Sequence, residues 1–127
     1  MEINLSEKHD KEKVLVASKN IRKKILTMAM EAGSSSAHIG GALSIADILS
    51  TLFFNVMSLD KNDPLKNNRD RFILSKGHAC TALYSSLCTA GFFLEEELLS
   101  YGKDFSKLMN HASHYVEGVE FSMGALG

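Results

Sequence analysis

The sequence predicts an α/β fold, the N-terminal portion of a doubly wound, mostly parallel sheet with helices on both faces. The first observation behind this is the stretch from Arg69 to His78. It reads as a polar lead-in, a short apolar strand from Phe72 to Leu74 and a glycine turn that delivers a histidine. The second is the helical spacing of Ala79 to Thr89 directly after it. Strand, glycine, polar residue and helix start are the parts of a βα turn in a parallel sheet. The third is a pair of apolar-striped helices upstream, of the kind that cover a sheet face. In such sheets ligands sit beyond the carboxyl ends of the strands, where free N–H groups and the positive helix dipole favour phosphate. His78 stands at that point. The local pattern leaves two roles open for it: a helix cap that satisfies the loop, or a contact to a phosphorylated ligand.

The elements follow in order. From about Ser6 to Ala32, Val14, Ala17, Ile21, Ile25, Met28 and Ala29 recur at helical steps and form one apolar stripe. Lys19, Arg22, Lys23 and Lys24 fall mostly off it and read as a solvated face; Gly33 is the expected C-cap. Ser34 to Gly41 is a loop with His38 and a Gly-Gly pair, residues that permit close approach of backbone to a ligand. Ser44 to Asp47 has the form of a capping box, with Asp in place of Glu. A second helix then runs to about Met57, with Ile45, Leu49, Leu52, Phe53 and Val56 as its buried face. Leu59 to Asn68 is a polar turn-rich connection holding the single proline. After the His78 turn, the next helix carries Ala82, Leu83, Ser86, Leu87 and Ala90 and ends at Gly91. Leu94 to Tyr101 is a short helix opened by Glu95, Glu96 and Glu97, where negative charge suits the dipole. Lys103 to Glu120 is mostly loop and contains His111 and His114.

A chain of 127 residues has room for one ordinary domain, and with so few strands visible residues 1–127 are expected to be the N-terminal part of one, its sheet incomplete. Fourteen basic against fifteen acidic residues give a net charge of −1, which speaks against a nucleic-acid surface. No apolar run is long enough to span a bilayer, and Met1 to Asp10 lacks a signal-peptide core; the expected location is the cytoplasm. Cys80 and Cys88 lie eight residues apart on one expected helix, about 12 Å of rise, too far for a disulfide. Reduced, buried thiols are the expectation. No metal ligands are assigned: His111 and His114 are three apart but sit in a loop, and there is no zinc-type spacing.

Three loops thus each present a histidine, His38, His78 and His111. Imidazole donates and accepts protons near neutral pH, which suits ligand binding and general acid–base work.

Four stretches, in order, resemble the transketolase family of thiamine-diphosphate enzymes. They are AGSSSAHIGGALSIADIL, RDRFILSKGHACTALYSSL, GFFLEEELLSYGKDFSKLMNHASH and GVEFSMGALG, and the resemblance as a whole is taken to run over roughly residues 15 to 127. The resemblance implies transfer of a two-carbon ketol unit between sugars, with thiamine diphosphate and Mg²⁺. It implies that His38 and His111 are catalytic, lining the substrate channel. It implies that His78 lies near the cofactor's diphosphate, and that the backbone at Gly124 and Leu126 contacts the thiamine part. The implied partners are a sugar-phosphate substrate and either a second copy in a homodimer or a complementary C-terminal transketolase chain, with no nucleic acid and no membrane.

The sequence also departs from the family pattern. The usual Ser-Gly-His-Pro-Gly reads Ser35-Ser36-Ala37-His38-Ile39-Gly40, and Asn110-His111-Ala112 replaces Gly-His-Pro. Met123 stands where a threonine is common. The Gly-Asp-Gly segment that holds Mg²⁺ and diphosphate comes later in the family, as does the glutamate contributed from another domain; neither is in this chain. The expectation is a fragment or one piece of a split enzyme, inactive alone. The alternative from another class is a non-catalytic interaction module that binds a full-length or complementary partner.

Overall fold

The computed structural model describes residues 5–33, 37–122 and 124, with side chains from Asp10 onward. Leu126, Met123, Ser35 and Ser36 lie outside the described residues. Four α-helices, α1 Leu5–Ala32, α2 Ile39–Leu43, α3 Ala46–Thr51 and α4 Cys80–Thr89, form the frame. A π-helical turn, Leu52–Val56, continues α3. A 3₁₀ turn, Gly77–Ala79, opens α4, and a second 3₁₀ segment spans Glu95–Ser100.

α1 forms because its stripe has a surface to cover. Ala17, Ile21, Ile25 and Met28 are all buried, and α1 packs along α4 and α3. Each large aliphatic side chain withdrawn from water contributes roughly 1.5–3 kcal/mol. Gly33 ends the helix at φ +74°, the left-handed conformation that glycine takes at low cost.

α4 is the centre of the molecule. Every residue from Cys80 to Cys88 is buried, and α1, α2 and α3 all pack against it. Its small residues (Cys80, Ala82, Ser85, Ser86, Cys88) let neighbours approach closely. Cys80 and Cys88 are free and buried.

Four local expectations are corrected, the first being the loop expected through Gly41, which is helical from Ile39 where α2 begins. The strand over Phe72 to Leu74 does not form, and no strand is present among the described residues; the α/β expectation is not met there. A strand is a ladder, and this segment has no second strand to pair with among the described residues. Phe72 instead packs edge-on against Phe53, ring centroids 5.8 Å apart, and Leu74 joins the core.

The capping box does not form either. Ser44 is the C-cap of α2, its Oγ donating to Gly41 O at 2.7 Å, and Ile45 caps α3 without a side-chain bond. Val56, expected on the buried face, is exposed. The π-helical turn widens the helix there, with Met57 N donating to Leu52 O at 2.7 Å, and shifts the phase of the last residues.

Asp47, released from capping, pairs across to α1. It accepts from Nη1 and Nη2 of Arg22, each at 2.8 Å, and from Ser18 Oγ at 2.5 Å. Arg22, then Ser18, hold its carboxyl down from 3.8 to about 2. The native state therefore takes up this proton at lower pH than the unfolded chain does. The stabilisation is full above the unfolded pKa near 4 and is lost as pH falls towards 2. The carboxylate side chain is 73% exposed, so its worth is discounted to about 0.5–1 kcal/mol. Urea midpoints at pH 5 and pH 2.5 should show the parent chain losing about that much more stability than Asp47→Asn between the two pH values. Equal losses would mean that the pair is not formed in solution.

Candidate functional site

The three histidines come from three different elements. His38 precedes α2, and its carbonyl accepts the Ala42 N–H at 3.1 Å. His78 sits in the 3₁₀ turn that opens α4. His111 lies in the irregular segment 103–122, carried to the same place by Ala112, whose N–H donates to Gly77 O at 3.1 Å. The His38 and His78 ring centroids are 5.1 Å apart, and those of His38 and His111 are 6.5 Å apart. His38 and His111 are exposed and His78 is half-buried. Among the described residues no protein group hydrogen-bonds their ring nitrogens.

Glycines set the spacing around the rings. A Cβ on Gly41 would sit 3.7 Å from the His78 ring, in ordinary contact. A Cβ on Gly124, at φ +154°, would lie 2.4 Å from His111 Cδ2 and 3.4 Å from Gly77 Cα. Only glycine fits there without moving His111. An open groove of about 490 Å³ runs beside His111, with Met109, Tyr115, Ser122 and Gly124 in its wall.

Four residues that hold the site were not singled out for that role in the sequence. Lys76 Nζ donates to Gly41 O and to Ser44 Oγ, both at 3.1 Å. This cation closes the C-terminal end of α2 and ties the His38 element to the His78 turn. Tyr84, buried on α4, lies below the His111 segment. Arg69 pairs with Glu120 through both guanidinium arms, Nη2 to Oε2 at 3.0 Å and Nη1 to Oε1. The pair ties the turn ahead of Leu74 to the segment running into Gly124. The only local hint was that Lys76 and Arg69 fall inside RDRFILSKGH; Gly41, Ser44 and Glu120, to which they tie the site, are 32 or more residues away in sequence.

His114 plays a different part. Its Nδ1 shares a hydrogen with Ser122 Oγ at 2.7 Å, and its ring lies 4.3 Å from that of Tyr115. It is a loop-stabilising residue and stands apart from the cluster. Among the described residues no group of three or more His, Cys, Asp or Glu is arranged to hold a metal ion. No helix among them is long and apolar enough to cross a membrane.

Comparison with known proteins shows the family. One of the subunits of the apulose-4-phosphate transketolase of Phocaeicola vulgatus is 38% identical over 113 residues, which are 89% of this chain and 39% of that protein. Human transketolase is 36% identical over 106 residues, 84% of this chain and 17% of that protein. The chain therefore spans well under half the length of these relatives. Among solved structures, the transketolase of Campylobacter jejuni superposes with a TM-score of 0.82 at 32% identity, over 100% of this chain and 18% of its own. That of Leishmania mexicana gives 0.83 at 29% identity, over 90% and 17%. The family model described as "Transketolase, thiamine diphosphate binding domain" matches residues 16–127, nearly the whole chain, and the chain belongs to the transketolase family.

Proposed function

We propose that this chain supplies part of the thiamine diphosphate site of a ketol-transferring enzyme and works with a complementary transketolase chain. The observation that carries the reading is the convergence of His38, His78 and His111, from three separate elements, with Gly124 closed against His111. Relatives whose names mark them as single subunits of transketolases support the idea of a divided enzyme.

The described residues fit the organic cofactor in one respect: a glycine-lined surface beside free imidazoles can approach a planar or phosphorylated group closely. They do not provide a Mg²⁺ site, since hard cations need several oxygen ligands. The metal would be held by groups outside the described residues. Thiamine diphosphate supplies the carbanion and the electron sink when bound. His78, in the turn at the positive end of α4, is assigned to the diphosphate side. Gly124 and Leu126 are assigned to the thiamine part through their backbone.

His38 and His111 are the catalytic residues of this reading. Their ring N–H groups would donate to the sugar's carbonyl oxygen as negative charge develops on it, and would carry protons between that oxygen and the neighbouring hydroxyls. The sheet of the doubly wound fold, the cytoplasmic location, the sugar-phosphate substrate and the dimeric state belong to the same proposal. The test is ketol transfer from a phosphorylated ketose to an aldose, with thiamine diphosphate and Mg²⁺. Activity should arise when this chain is mixed with the chain encoded beside it. No activity in the mixture would count against the enzyme reading and favour an interaction module.

A further inference from the structure

The side chain of Tyr84 is fully buried on α4, and its hydroxyl is directed at backbone carbonyls of the His111 segment. It lies 3.0 Å from His111 O and 3.1 Å from Met109 O, as donor. Cys80, one turn earlier on α4, places Sγ 3.4 Å from the same Met109 carbonyl. Ala112 N–H, on the other side of His111, donates to Gly77 O at 3.1 Å. Met109 and His111 are exposed, while Ala112 and Ser113 are buried. The segment therefore turns its backbone towards α4 and its histidine outwards.

No regular structure surrounds residues 103–122, so these carbonyls have no ladder or helix to satisfy them. A buried carbonyl without a donor is costly, and α4 provides the donors. Burial pushes the Cys80 thiol up to about 11 and the Tyr84 phenol higher than its ordinary value, so both remain S–H and O–H donors at neutral pH. Because α4 also begins at the His78 turn, one rigid helix sets the distance between two members of the cluster.

We propose that Tyr84 is a positioning residue, fixing His111 in the histidine cluster by hydrogen-bonding its backbone carbonyl from the buried face of α4. This rests on the reading of His111 as a group that acts on the sugar. Tyr84 itself touches no reacting atom; it acts through the carbonyl of His111.

The test has two arms. In hydrogen exchange on the purified chain, Tyr84→Phe should speed exchange of the Ala112 amide by roughly tenfold or more, with amides of the α1 and α4 cores within about twofold of the parent. In ketol transfer by the mixed chains with thiamine diphosphate and Mg²⁺, Tyr84→Phe should lower kcat by roughly tenfold and leave half-saturation by cofactor within about twofold. In a His111→Ala background the same substitution should cost nothing further, because the two act as one unit. Unchanged exchange at Ala112, or an equal rise at every amide, would overturn the proposal. So would a Tyr84→Phe loss that persists in full without His111. If His111→Ala alone leaves turnover intact, the catalytic reading of His111 fails, while faster Ala112 exchange would still support the tether.

Discussion

Glu120→Gln should destabilise the chain by roughly 2–4 kcal/mol, the largest stability loss expected from one exposed-looking loop residue. The substitution removes a charge and nearly nothing else. Arg69 and Glu120 side chains are only 9% and 13% exposed, and the pair is two-pronged. Breaking it leaves a guanidinium that is largely buried, with Arg71 Nε already 3.9 Å from the same carboxylate. Bidentate, water-poor pairs carry far more than exposed ones, because the partner left behind must lose its solvation without compensation. Arg71 is 48% exposed, so Arg71→Ala should change stability by less than about 0.5 kcal/mol. Thermal melts separate the two: a fall of roughly 6–15 °C is expected for Glu120→Gln and of a degree or two for Arg71→Ala. Similar small shifts for both would show that the Arg69–Glu120 pair is open to solvent.

His38→Ala and His111→Ala should each lower ketol transfer in the assembled enzyme by roughly 10²–10³-fold, with little change in folding stability. The two rings flank one space, their centroids 6.5 Å apart, and both are exposed, so neither is needed for the core. Removing either deletes a donor that matters only when charge builds on the sugar oxygen. The loss should therefore fall on kcat more than on KM. Single-turnover rates for the two variants and for His114→Ala, bonded to Ser122 away from the cluster, check this. A loss for His114→Ala as large as for the other two would contradict the assignment.

The histidines were legible in the sequence because each sits beside glycine or small residues in a break between helical patterns. The stripe of α1 and the glycine stops at Gly33 and Gly91 were legible for a similar reason: periodicity and left-handed backbone are local properties. What failed was everything decided at a distance. Local pattern favoured a loop through Gly40-Gly41, but Lys76, 35 positions away, closes the last turn of α2. Ser44 and Asp47 looked like a capping pair until Arg22 and Ser18 took the carboxylate. The apolar run at Phe72 has strand composition, yet strand formation depends on a neighbour that the described residues do not provide. Tyr84 drew no reading from the sequence, since nothing in the helix pattern tells which way its hydroxyl points.

The three imidazoles are expected to face thiamine diphosphate in a site completed by another chain. The most direct measurement is the melting temperature of this chain, alone and mixed with the chain encoded beside it, with and without thiamine diphosphate and Mg²⁺. A cofactor-dependent rise in the mixture only, diminished by His78→Ala, is the predicted result, since ligand that binds the folded assembly stabilises it by mass action. A mixture whose melting temperature is indifferent to the cofactor would contradict the claim.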